Sequence, residues 1–494
     1  MLTVFAACAA VLTLAACFFS YDFYHPDEYF QVMEYSNYKM GVTPPADLPW
    51  EFEARIRPWF QPAVYFLVIK VLSLVGIENP FVWAFFLRAL SMCLSLVAII
   101  LLMKSSFLLF TERVRALVAV ILLAFLCYIP YLSVRTSSET FSAALFWISV
   151  CTWVLGSRSE ARKGAGGAWA KALLCGALFG LAFESRFQSA ILIIGFLAWI
   201  LVFAADRKTA MRSVGIMCSG ALLLVGIGLI IDRWGYGEWT VTPFNYLYQN
   251  VVLKKADDFG TTPFWGYLTI LTKESYGGGF ILLACMVVSW FRRPKSIMTW
   301  ISVPFFLIHC ILPHKEGRFL FPLVLASPFF VVDAIAPGKT TGQSFLENLW
   351  RLKRSWAAYL LFAANLGAYV LLIISISQPT ISVQRYLYGR RLETRVVYAT
   401  SDANPYFWHH PMYFYRPKML SVMILGGGTD TGPDHYPVIL VSHQATPPVL
   451  AAGREAQLVY RTPVPLTDRL KSRLHIGRRT NNSALWPFYI YEVE

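Results

Sequence analysis

Eleven apolar runs, joined by short polar links and a few long polar stretches, constrain this chain more than any other feature. A bilayer core takes about 20 apolar residues per helical crossing, and backbone inside it must satisfy its own hydrogen bonds. The runs predict crossings at about 1–20, 80–103, 116–134, 140–156, 168–184, 188–205, 213–231, 277–291, 296–313, 319–336 and 356–377. Only 15% of residues are charged, against about 25% in a soluble protein, and mean hydropathy is +0.52. The fold class is therefore a polytopic α-helical membrane protein with about 11 transmembrane helices.

The run Trp59–Gly76 stands apart. Lys70 lies in its middle, Pro62 interrupts its start, and Trp59 and Tyr65 suit the headgroup level. It reads as an amphipathic helix lying in the interface rather than a twelfth crossing. With that assignment, one set of short loops carries seventeen Lys and Arg, including Lys339, Arg351, Lys353 and Arg354. The opposite hairpins carry four: Arg135, Arg186, Lys315 and Arg318. The positive-inside bias makes the first set cytoplasmic. The long loops 21–79 and 232–276 then lie on the luminal or periplasmic side, as does the segment from residue 378. That segment holds VVYAT, VILVSH and PFYIYEV, alternations that predict strands of a small mixed α/β domain over 378–494, following a membrane domain over 1–377.

The net charge of +14 is spread as short clusters between apolar runs, a pattern that orients membrane proteins rather than binding nucleic acid. All nine cysteines fall in apolar runs with no CxxC or Cys/His spacing, so neither a disulfide scaffold nor a zinc site is expected. No metal-ligand set and no cofactor motif is read. Leu14-Ala15-Ala16-Cys17 imitates a lipoprotein box, but no Lys or Arg precedes Lys39, and the first run is expected to stay as a helix. Gly426-Gly427-Gly428 is a turn, and Asn481-Asn482-Ser483 is a glycosylation sequon.

Three segments can carry chemistry on the non-cytoplasmic side. His25-Pro26-Asp27-Glu28 leaves the first crossing, where water reaches the carboxylates; they are either a solvated loop or a base for an attacking hydroxyl. His314-Lys315-Glu316-Gly317-Arg318 sets three potential cations against the positive-inside tendency, as a tight turn or as a phosphate site. Loop 232–276 mixes aromatic rings with Asn, Gln and Asp, suiting either a sugar or the interface. Among charges in or near crossings, Arg88 lies mid-run and should face a cavity or partner, while Arg135, Glu139, Glu184 and Arg186 lie where snorkelling is open to them.

Taken in order, HPDEYFQ with Glu34, Pro49-Trp50-Glu51-Phe52, Ile56-Arg57-Pro58, DRWGYGEWTVTPFNYLYQN and His314-Lys315-Glu316-Gly317-Arg318-Phe319 resemble the dolichyl-phosphate-mannose-dependent α-mannosyltransferases of family GT22, in the GT-C superfamily. The pairing of HPDEYFQ with HKE-x-RF is most similar to the branch that works third in GPI-anchor assembly. Ile56-Arg57-Pro58 stands where relatives often carry Arg-Ser. The resemblance implies a GT-C fold and inverting transfer of mannose from a polyprenyl or dolichyl phosphate to a glycan or glycolipid. It implies Asp27 as base with Glu28 orienting it, and His314, Lys315 and Arg318 on the donor phosphate. His25, Gln31, Glu34, Trp50 and Arg57 would contact acceptor or sugar. The membrane would be that of the ER in a eukaryote or the inner membrane in a bacterium. A GT-C transferase using another polyprenyl-linked sugar, and a transporter or flippase, are the alternatives; acceptor and linkage stay open.

Overall fold

The computed structural model describes residues 1–163, 168–275, 277–335, 356–374, 379–390, 396–417, 420–425, 438–446, 456–463 and 487–493. Lys339, Arg351, Lys353, Arg354, the triple-glycine turn and the sequon lie outside the described residues, as do the side chains of 157–163. The described chain forms two compact units. One comprises Met1–Phe18, Trp50–Val64 and Leu87–Tyr369, and the other Phe19–Pro49, Tyr65–Phe86 and Val370–Glu494.

Each expected crossing coincides with helix, but fewer are full-length spans. Six helical stretches are long and apolar enough to cross a bilayer: Leu2–Phe19, Pro80–Leu109, Ser138–Gly156, Ala168–Ser185, Arg207–Tyr236 and Gly317–Ile335. A seventh is added if Tyr359–Ile374 is counted together with Pro379–Gly389. Ser189–Phe203, Gly278–Arg292 and Ile297–Ile311 are apolar but shorter. The protein is an integral membrane protein.

The crossing expected at 116–134 is broken into Arg113–Phe125 and Tyr128–Leu132. Pro130 has no N–H to return to the preceding turn. Asn365 fills the gap, donating to Phe125 O at 2.7 Å and accepting from Cys127 N at 3.0 Å. The helix Phe60–Leu74 has 15 residues, roughly 22 Å of rise, short of the about 30 Å hydrocarbon core. Leu67, Val71 and Leu74 are exposed along one face while Tyr65, Ile69 and Leu72 are buried. That length and two-sidedness fit the interfacial assignment.

In the first unit, Ala168–Ser185 and Arg207–Tyr236 approach at backbone distance. A Cβ on Gly176 would lie 2.0 Å from Met217 O, and one on Gly220 2.7 Å from Leu173 O. Small residues permit such contact in membranes, where packing rather than water exclusion joins helices.

The second unit carries the sheet. Its strands are β1 (Val396–Thr400), β2 (Phe407–Trp408), β3 (His410–Pro411), β4 (Ser421–Leu425), β5 (Val438–Ser442), β6 (Ala456–Arg461) and β7 (Tyr489–Val493). Five of them run in the order β4-β1-β5-β7-β6. β1 is parallel to β4 and β5, and β7 antiparallel to β5 and β6. The central β5 reads VILVS and is buried throughout, which explains its unbroken apolar run. On one face, Val383 and Leu387 of helix Pro379–Gly389 join Val397, Ile439, Val441 and Ile490. The three strands expected from VVYAT, VILVSH and PFYIYEV are β1, β5 and β7.

Candidate active site

In the second unit, HPDE begins a π-helix, Glu28–Met33, continued by Glu34–Lys39. Such wide turns are rare and recur at functional sites. Asp27 is its N-cap, and its backbone N–H donates to His25 Nδ1 at 3.2 Å. Nδ1 also lies 3.5 Å from Asp27 Oδ1. Asp27's side chain is 20% exposed, whereas Glu28 is 2% and Glu34 1% exposed. Glu28 turns back to accept from Tyr24 N at 3.1 Å, securing the loop that presents Asp27. Gln31 is buried within the π-helix.

Glu34 is the anchor of this segment. Oε1 accepts from Tyr413 N at 2.6 Å and Phe414 N at 2.9 Å. Oε2 receives the Thr43 hydroxyl and Asn37 Nδ2, the latter at 3.5 Å. Burial raises its pKa above the ordinary carboxylate value, opposed by hydrogen bonds from Thr43, Phe414, Tyr29 and Tyr413. Rings complete the seam: Phe23 stacks on Trp408 at 5.5 Å, and Phe81 on Tyr415 at 4.6 Å. The stretch NPYFWHHP and its continuation therefore pack directly on the HPDE segment, a pairing across nearly four hundred residues that no sequence spacing shows.

The first unit gathers the remaining motif residues. His314 Nδ1 meets Gly260 O at 2.9 Å and Nε2 meets Glu316 Oε1 at 2.8 Å. The hydrogen bond to Glu316 raises the His314 pKa; burial opposes it. Lys315 Nζ donates to the carbonyls of Leu312 at 2.5 Å and Thr262 at 3.0 Å. Arg318 Nε pairs with Glu316, and Nη1 donates to Glu139 Oε1 at 3.2 Å. A Cβ on Gly317 would lie 1.9 Å from Glu274 Oε2, so a larger residue there would have to push the exposed Glu274 side chain aside.

The loop after residue 232 is tied to both Arg57 and the HKEGR turn. Tyr236 donates to Arg57 O at 2.8 Å, and Thr262 N to Pro313 O at 2.9 Å. Arg57 pairs with Glu51 at 3.4 Å. Trp50 stacks on Phe259, whose ring neighbours His314 at 6.1 Å. Trp50, Arg57, His314, Lys315 and Arg318 are thus brought to one region. The same loop leaves Trp239, Phe244, Leu247, Val251 and Trp265 exposed.

Snorkelling, one reading open for Arg135, Glu139, Glu184 and Arg186, is not what the structure shows: all four are buried. Arg186 binds Glu139 Oε1 at 3.1 Å and donates to Ser138 Oγ at 3.3 Å. Arg88, expected to face a partner, donates to Cys17 O at 3.2 Å. Glu139 and Arg186 are drawn to Arg318 without belonging to any of the motifs; their only signal in the sequence was charge at membrane depth.

The chain has relatives among mannosyltransferases. It is 21% identical over 411 residues to Mannosyltransferase APTG1 of Arabidopsis thaliana, covering 78% of this chain and 71% of that one. It is 26% identical over 336 residues to the human GPI alpha-1,2-mannosyltransferase 3, covering 65% of this chain and 55% of that one. The chain thus spans little more than half the length of the animal relatives it matches. The crystal structure of ArnT from Cupriavidus metallidurans bound to undecaprenyl phosphate superposes with a TM-score of 0.56 at 11% identity, covering 99% of this chain and 97% of that one. That likeness shows the expected GT-C fold. Residues 3–415 match the Alg9-like mannosyltransferase family, and the chain belongs to it.

Proposed function

We propose that the protein transfers mannose, with inversion, from a polyprenyl or dolichyl phosphate to a hydroxyl of a glycan or glycolipid, forming an α-mannoside. The reaction would take place on the luminal face of the ER membrane or the periplasmic face of an inner membrane. The observation that carries the reading is the sorting of acids in HPDEYFQVME. Glu28 and Glu34 are buried and committed to backbone N–H groups, while Asp27 keeps part of its carboxylate exposed beside His25.

In this mechanism Asp27 takes the acceptor hydroxyl proton as the oxygen attacks mannose C1 from the face opposite the phosphate. The C1–O bond to phosphate breaks, and its electron pair leaves with the phosphate oxygen. His314, Lys315 and Arg318 supply positive charge for the departing phosphate. His25, Gln31, Trp50 and Arg57 are assigned to acceptor or sugar contacts; Glu34's donors fit it for holding the segment in place.

The test is transfer by the purified full chain in detergent, supplied with labelled polyprenyl-phosphate sugars and host glycolipid. Mannose transfer is expected, and Asp27→Asn should lower it about 10²–10⁴-fold while folding and donor binding persist. Full turnover by that variant removes Asp27 from the mechanism. Transfer from a non-mannose donor alone rejects mannose, and uptake in proteoliposomes without transfer favours a transporter.

A further inference from the structure

Two guanidiniums in the first unit share one ring and one carboxylate oxygen. Arg186 Cζ lies 5.4 Å and Arg318 Cζ 5.2 Å from the centroid of the Phe319 ring. Both arginines reach Glu139 Oε1, at 3.1 and 3.2 Å. Both are buried; burial disfavours charging of Arg186, Glu139 favours it, and the nearby Arg57 and Arg318 oppose it.

A pair kept for stability alone needs one cation for one carboxylate, and well-packed apolar residues often serve as well. Here two like charges converge from separate segments, one just after Ala168–Ser185 and one at the start of the 3₁₀-helix Gly317–Ala326. Guanidinium forks match the paired oxygens of phosphate. An aromatic ring beneath both helps to hold them, and Glu316 fixes Arg318 through its Nε, leaving the Nη side of the fork toward Glu139.

We infer that Arg186 and Arg318 form a two-guanidinium cradle for the donor phosphate, held in register by Glu139 as a positioning residue. This rests on the mannosyl-transfer reading and adds Arg186 to it. Before transfer the donor is a phosphodiester with one negative charge. When the C1–O bond breaks, the electron pair it releases turns the diester into a monoester and adds one more. In the resting site Glu139 bridges the two arginines and Glu316 pairs with Arg318 as well; the phosphate takes Glu139's place on the forks as its charge grows.

The test uses the full chain in detergent, with polyprenyl phosphate as competitive probe against the labelled donor. Arg186→Ala should weaken inhibition by polyprenyl phosphate roughly 10–100-fold, the range for a charged hydrogen bond, and should lower kcat more than it raises the donor KM. Glu139→Gln keeps an acceptor oxygen but removes the competing charge, so inhibition should become tighter and turnover slower. A merely structural salt bridge would not tighten product binding when broken. Unchanged inhibition in a folded Arg186→Ala, with inhibition lost in Arg318→Ala, overturns the cradle and leaves the transfer reading standing. If Arg186→Ala does not fold, Arg186→Lys keeps the charge and loses the fork; wild-type inhibition there also overturns it. A wild-type protein that neither transfers mannose nor is inhibited by polyprenyl phosphate sinks the underlying reading instead.

Discussion

Glu34→Ala is expected to detach the 413–415 segment from the helix that presents Asp27. Two of the donors have a second acceptor: Phe414 N also reaches Tyr29 Oη at 3.0 Å, and Asn37 Nδ2 reaches Thr43 Oγ1 at 2.9 Å. Truncation therefore strands chiefly the Tyr413 N–H and the Thr43 and Tyr29 hydroxyls, of which the hydroxyls can rotate. Each buried donor left without an acceptor costs about 1–3 kcal/mol, and water can relieve part of this at the half-buried Tyr413. A loss of about 3 kcal/mol follows, which for a unit of this size lowers Tm by roughly 6–12 °C. Glu34→Gln should lose only about 1 kcal/mol, because its carbonyl keeps the backbone pair and the Thr43 hydroxyl can turn to accept from the amide. Thermal unfolding in detergent, with chymotryptic cleavage after Phe414 as a local probe, measures both. If Glu34→Ala melts within a degree of wild type and the bond after Phe414 is no more readily cut, the anchoring argument is wrong.

The same residue sets a pH dependence. Burial holds the Glu34 carboxyl above its ordinary value of 4.5, so the folded chain binds that proton more tightly than the unfolded one. Its contribution is complete below the unfolded value and is lost as pH rises through the raised one. Wild-type stability should fall across that window relative to Glu34→Gln.

Three further outcomes are expected. His314 is held protonated above its ordinary 6.5 by Glu316, so donor affinity should weaken as pH rises through the raised value; His314→Gln should flatten that profile. Gly176→Val should destabilise the first unit by about 1–3 kcal/mol, because its Cβ would meet the Met217 carbonyl; an unchanged Tm counts against the close helix contact. Glu28→Gln should keep more transfer activity than Asp27→Asn, since an amide oxygen still accepts from Tyr24 N, and equal losses would make Glu28 a chemical participant.

Sequence periodicity reached the helices because lipid demands contiguous apolar length, and it reached β1, β5 and β7 because apolar residues gather where these strands are buried, alternately in β1 and throughout in β5. It overestimated full spans where tertiary bonds replace length: Pro130 signals the break near Phe125–Cys127, but nothing in the sequence points to Asn365 as the residue that closes it. HPDE and HKEGR were visible as motifs because their residues are adjacent in sequence. Glu34's partners lie 379 and 380 residues away. A carboxylate just beyond a polar loop looks solvated until the chain that covers it is placed.

Glu139 and Arg186 show the limit most clearly. Each sits at the end of an apolar run, where a long side chain can ordinarily reach water at little cost. The sequence offers no means to separate that arrangement from a buried pair, because the deciding quantity is what covers the run's end. In the structure, Phe319 covers Arg186 and Arg318 together. Arg88 and Arg135 are buried as well, but Arg88 is bonded to a backbone carbonyl and Arg135 lies 4.5 Å from the Tyr131 ring centroid. Those two contacts are with neutral groups, which an arriving anion does not displace. At Glu139 the partner is itself an anion, and a phosphate could take its place on either fork. Exchangeable pairing, rather than burial, separates a charge suited to ligand binding from one that only fastens two helices.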